Sequence, residues 1–172
     1  MQPKRLSAAL IAFAALAQAQ AAMAAECVTE REVSGLAIYA LPSIVNGIDP
    51  ICTPHLASDG YLAQNSQGLA ERYARLGDAN WPLAKSAMLK FIGEKDAGFE
   101  TIASLPDEAV RPLIEAVLVQ KIAGDVKPQN CPKIERGFEL IDKLPPETVG
   151  EVIGFVMGLV KPKSPEICPE QP

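Results

Sequence analysis

The sequence predicts an all-α domain, and three observations carry the prediction. Apolar residues recur at helical spacing through most of the chain. No segment shows the two-residue alternation, dense in Val, Ile and Thr, that marks strands. One helical unit is written twice, as FETIASLPDEAVRPLIEAVLVQK at residues 99 to 121 and FELIDKLPPETVGEVIGFVMGLV at residues 138 to 160. Shifted by 39 positions, these match at Phe99/Phe138, Glu100/Glu139, Ile102/Ile141, Leu105/Leu144, Pro106/Pro145, Glu108/Glu147, Val110/Val149 and Ile114/Ile153. Helical patterning alone produces some such matches, but eight in so short a window point to an internal duplication. Each copy reads as a short helix, a Leu-Pro break, and a longer helix with Pro near its first turn, where the missing N–H costs little. A solenoid would need the unit at least three times. The expected architecture is therefore a single-domain bundle of about six helices containing a duplicated hairpin.

The chain begins with Lys4 and Arg5, an apolar run over residues 6 to 16, and the small-residue sequence Ala22-Met23-Ala24. That layout is a secretory signal peptide, with an apolar segment shorter than the roughly 20 residues a membrane span requires. Residues 1–25 are expected to be cleaved, leaving residues 26–172 as the helical domain. Glu26 stands directly before Cys27, where a lipid-anchored protein would have a small residue, so no stable membrane anchor is expected. Without Lys4 and Arg5 the chain keeps 14 basic against 21 acidic side chains, a net charge of −7 with His55 neutral. Electrostatics of that sign argue against nucleic acid as a partner. The expected location is periplasmic or extracellular.

Within the domain, EREVSGLAIYA (30 to 40) sets Val33, Leu36, Ala37 and Ala40 on one helical face, and Pro42 is expected to interrupt that helix. Residues 60 to 76 repeat the pattern through Leu62, Leu69, Tyr73 and Leu76. Asn80 is expected to cap WPLAKSAMLKFI, with Gly93 closing it. The duplicated hairpins follow, and KPKSPEICPEQP at residues 161–172 reads as a Pro-rich C-terminal strap.

The four cysteines, Cys27, Cys52, Cys131 and Cys168, form an even set in an exported chain, which implies two disulfides. If each helical hairpin returns the chain to its starting end, Cys131 meets Cys168 and Cys27 meets Cys52. The other two connectivities remain open on sequence.

The segment GEVIGFVMGLV carries Gly150, Gly154 and Gly158 at every fourth position, so the three share one helix face. Their counterparts in the first copy are Arg111, Glu115 and Val119, of which the first two read as a solvated charge pair. Glycine in a helix costs on the order of 1 kcal/mol relative to alanine, so three need a compensating close contact. One expectation puts this helix at the centre of the bundle, with a neighbour crossing its glycines. The other leaves a glycine-lined groove, walled by Phe155, Met157 and Val119, as a binding surface for a protein partner or a small apolar molecule. Pairing of the glycine face with its own copy, as a homodimer, is the structural alternative.

No catalytic residue is assigned. His55, the single histidine, lies three residues after Cys52 and has no second ligand within helical reach, so no metal site is expected. Neither G-x-S-x-G, H-E-x-x-H, a phosphate loop nor a dinucleotide fingerprint occurs, and no cofactor is expected. The leading reading is a non-catalytic binding protein. A self-associating structural protein follows it, and an apolar-ligand carrier or an enzyme with scattered residues comes after.

Overall fold

The longest helix is also the innermost. In the computed structural model, which describes residues 27–92, 99–160, 162 and 166–168, α1 spans Glu30–Cys52 and the other helices pack around it. The order continues with α2 (Tyr61–Ala74), α3 (Gly77–Ile92), α4 (Phe99–Ser104), α5 (Asp107–Asp125), α6 (Cys131–Asp142) and α7 (Pro146–Val160). The fold is all-α with two disulfides, as the sequence predicts. The expected signal segment, Gly93 and most of the expected strap lie outside the described residues.

A capping box starts α1. The Thr29 side chain accepts from the Glu32 backbone N–H at 3.2 Å, and a Glu32 carboxylate oxygen accepts from the Thr29 backbone N–H at 2.7 Å. Glu32 is itself buried, and it takes Lys90 Nζ at 2.8 Å and the Ser86 hydroxyl from α3. Burial alone would raise its pKa, but the bonds from Lys90, Ser86 and Thr29 outweigh that and hold it below the usual carboxylate range.

Pro42 does not interrupt α1; the helix runs through both Pro42 and Pro50. Each proline removes one backbone hydrogen bond at about 3 kcal/mol. Packing of α1 against α2, α3, α5 and α7 offsets that loss, and consecutive buried residues 38 to 41 show a helix covered on all sides. By length and apolarity α1 is also a helix that could cross a membrane, yet 56% of its apolar window is buried in the bundle.

Three apolar clusters divide the core along α1. Ile38, Leu41, Val45 and Ile48 pack with Leu62, Leu69 and Tyr73 of α2 and Phe138 of α6. Tyr39 packs with Trp81, Ala84 and Val110, and Val33 with Val28, Ala87 and Ile167. The residues expected to face inward on α2 do so: Leu62, Leu69 and Tyr73 are buried, and Leu76 packs against the same cluster. Glu135 of α6 completes α2 by accepting from the Leu62 N–H at 3.1 Å, one of the donors a helix start leaves open. Asn80 is not a cap. α3 begins at Gly77, one short turn after α2, and Asn80 lies inside it with its side-chain amide on the Leu76 carbonyl at 3.0 Å.

The cysteines pair as Cys27–Cys168 and Cys52–Cys131, so the sequential expectation is wrong on both bridges. The cause is α1. Its 23 residues form an unbroken rod of about 35 Å, with Cys27 ahead of its start and Cys52 at its last position, so these two cannot meet. Cys131, at the start of α6, instead reaches the far end of α1. α7 runs antiparallel to α1 and brings the chain back to the beginning. There Val28 N–H donates to the Glu166 carbonyl at 2.8 Å, Cys168 N–H donates to the Val28 carbonyl at 2.9 Å, and the second bridge closes.

Candidate functional site

Both copies of the repeated segment fold as a short helix, a Leu-Pro break and a longer helix, and both longer helices pack along α1. The same face does the packing in each. In α5, Glu115 accepts from the Tyr39 hydroxyl at 2.9 Å, and the Val119 carbonyl lies against Gly47 of α1. Arg111 pairs with Asp78 and lies 4.8 Å over the Trp81 ring, which itself meets the Tyr39 ring at a tilt of 48° with centroids 5.1 Å apart. Arg111 and Glu115 are thus not a solvated pair with each other; each reaches a different neighbouring helix. With Pro42, Ser43 and Asn46 they line an open cleft of about 460 Å³ between α5 and α1.

In α7 the corresponding glycines remove the spacer side chains. A Cβ on Gly154 would stand 2.5 Å from the Glu30 carbonyl oxygen. One on Gly150 would meet Ser34 Oγ at 2.6 Å and the tip of Ile38 at 2.8 Å, and one on Gly158 would meet the Glu30 carboxylate. The first turns of α1 therefore occupy the glycine face, and no groove is left there. Gly150 and Gly154 are buried and Gly158 is half-buried. The remaining expected wall residues do not converge on the glycines. Met157 packs inward against the cluster of Val28, Val33 and Ile167. Val119 sits at Gly47, about 13 Å further along α1 than Ile38. Phe155 points away from α1 and is 53% exposed.

The expectation of a central α7 is also corrected. A neighbour does cross its glycines, but α1 is the centre and α7 lies at the periphery. Its other face is uncovered: Val152, Ile153, Phe155, Val156, Leu159 and Val160 are between 37% and 66% exposed. At helical spacing these six occupy an arc of roughly 160° opposite the glycines. Glu151 lies beside this stripe, and no charged residue lies within it.

The first copy gives an internal control. Leu113 and Val117 of α5, the counterparts of Val152 and Val156, are also exposed, at 58% and 63%. Ile114, the counterpart of Ile153, packs against the cluster of Tyr39, Trp81 and Val110, and the other three positions are small or polar. Ala116, Gln120 and Lys121 stand where α7 has Phe155, Leu159 and Val160, and all six are exposed. The sequence contained this signal, because the same 39-residue shift that aligned the glycines also aligns these three pairs.

His55 is exposed in a short 3-10 turn (Thr53–His55), and Cys52 beside it is bonded to Cys131. Among the described residues no group of three or more His, Cys, Asp or Glu side chains gathers where it could hold a metal ion. No known protein family, characterised protein or solved structure matches the chain.

Proposed function

We propose that this protein is a non-catalytic binding protein of an exported compartment, and that it binds through the outer face of α7. The observation that carries this reading is the apolar stripe itself, on a helix whose twin carries Ala116, Gln120 and Lys121 at the equivalent exposed positions. A face of this kind on a soluble domain marks a partner surface more often than a packing accident. The two disulfides belong to an oxidising compartment. The basic pair, apolar run and Ala-Met-Ala sequence at the N-terminus favour export to the periplasm or the cell exterior, with the signal removed. The partner surface is a protein's, because the glycine groove that would have admitted a small apolar molecule is filled by α1.

A photo-crosslinking residue at position 156, introduced in the cells that export the protein, tests the reading. It is expected to trap a defined adduct, whereas the same residue at exposed Gln129, in the connection between α5 and α6, traps none. Adding Phe155→Asp should remove the adduct without changing the oxidised fold, since Phe155 packs on nothing in the core. Equal trapping at both positions, or none at either, would sink the proposal.

A further inference from the structure

We infer that the partner of the α7 outer face is a second copy of this chain, paired antiparallel across a twofold axis near Val156. This rests on the reading of that face as a binding surface. Three observations lead to it.

The first is charge. The mature chain carries −7, so most approaches between two copies bring acidic surfaces together. The six-residue stripe holds no charge, and it is where two copies meet without like charges opposed.

The second is symmetry. The stripe runs from Val152 to Val160, and Val156 is its midpoint. An isologous interface requires a patch that complements itself when reversed. Two antiparallel copies of α7 place Val156 against Val156 of the partner subunit and Val152 beside Val160 of the partner subunit, with Phe155 and Leu159 flanking. Antiparallel pairing also sets opposite ends of the two helix dipoles side by side.

The third is area. The exposed fractions of the six side chains correspond to roughly 500 Å² per face, so two faces bury about 1,000 Å², the size at which specific interfaces begin. The helix is already fixed for this. Its glycines clasp α1, and beyond its end the chain is tied back by Cys168 to Cys27, so little ordering remains to oppose association.

Sedimentation equilibrium of the mature, oxidised protein over micromolar to submillimolar concentration decides the matter. The wild type is expected to pass from one chain mass to two as concentration rises. Val156→Glu, which sets two carboxylates together at the axis, should raise the dissociation constant on the order of 100-fold or more. Leu159→Arg, at the most exposed end of the stripe, is the second variant, and circular dichroism of both should overlay the wild type. A wild type that stays at one chain mass overturns the inference, and so does a dimer that neither variant weakens. The crosslinking experiment above keeps the two readings apart: an adduct of twice the chain mass supports both, whereas an adduct with a different protein retains the binding surface and removes self-pairing.

Discussion

Gly154→Ala tests the central packing claim with a single carbon atom. The added Cβ would lie 2.5 Å from the Glu30 carbonyl oxygen and 3.2 Å from its carbonyl carbon. The clash is with backbone, so no side chain can swing aside to relieve it. An ordinary carbon–oxygen contact needs about 3.3 Å, so α7 must retreat from α1 by roughly 0.8 Å and give up close packing along two turns. Alanine regains about 1 kcal/mol of helix propensity, and overpacking costs about 2 to 4 kcal/mol at such a site, leaving a net loss of about 1 to 3 kcal/mol. The assay is urea unfolding of the oxidised protein, with thermal unfolding expected to fall by about 3 to 10 °C. Gly68→Ala is the control. Gly68 is exposed on α2 and a Cβ there would meet nothing within 4 Å, so that variant should gain up to about 1 kcal/mol. The order within α7 is also fixed: Gly150→Ala should cost less than Gly154→Ala because it meets side-chain atoms, and Gly158→Ala least, because the Glu30 carboxylate can move. A Gly154→Ala variant as stable as Gly68→Ala would refute the close approach of α7 and α1.

Three further outcomes follow from the same geometry. Non-reducing peptide mapping should recover Cys27 joined to Cys168 and Cys52 joined to Cys131; loss of the latter by paired alanine substitution should cost about 4 kcal/mol for its loop of 79 residues. Glu32 has its folded pKa lowered, so its stabilising contribution is complete above the unfolded carboxylate value near 4.3 and fades as pH falls through the folded one. Glu32→Gln should flatten that acid limb and, by leaving Lys90 half-buried without its anion, cost about 2 kcal/mol at neutral pH in a denaturant titration. All three tyrosines are raised above the ordinary phenol value, each chiefly by burial, with Glu115 adding to Tyr39 and Asp142 to Tyr61. Their contribution is complete below the unfolded value near 10 and lost as pH rises beyond it, so phenolate absorbance should appear only together with alkaline unfolding.

How far the sequence could be read depended on whether a signal was local. The helical pattern of α2, the Leu-Pro breaks at residues 105 to 106 and 144 to 145, and the even cysteine count are local, and each has its expected counterpart in the structure. The expectations for Pro42 and for the disulfide pairing fail from one source. Pro42 was read by its intrinsic cost, and that cost is overridden by the neighbours that cover α1 on all sides. Once Pro42 is a break, Cys27 and Cys52 fall near each other; once it is not, they stand at opposite ends of a rod, and the pairing has to change.

The apolar character of α7 misled for a related reason. A helix apolar nearly all round is ordinarily central, and composition cannot separate a face apolar because it is buried from one apolar because something binds there. The duplication allows the two faces of α7 to be weighed against those of α5. Corresponding faces of α5 and α7 meet the same helix α1, so the inner-face differences, Arg111, Glu115 and Val119 against three glycines, set how closely α1 is approached and which polar contacts reach α1 and α3. The outer-face differences lie outside the three apolar clusters of the core, although Lys121 pairs with Asp125 one turn on and Ala116 edges the cleft between α5 and α1. Ala116 against Phe155, Gln120 against Leu159 and Lys121 against Val160 leave the core clusters unchanged, because all six residues are exposed. A fold needs no large apolar residue at those positions, as α5 demonstrates within the same molecule. Their presence on α7 is what the proposed partner surface would account for, and a second copy would match the stripe in charge, symmetry and area.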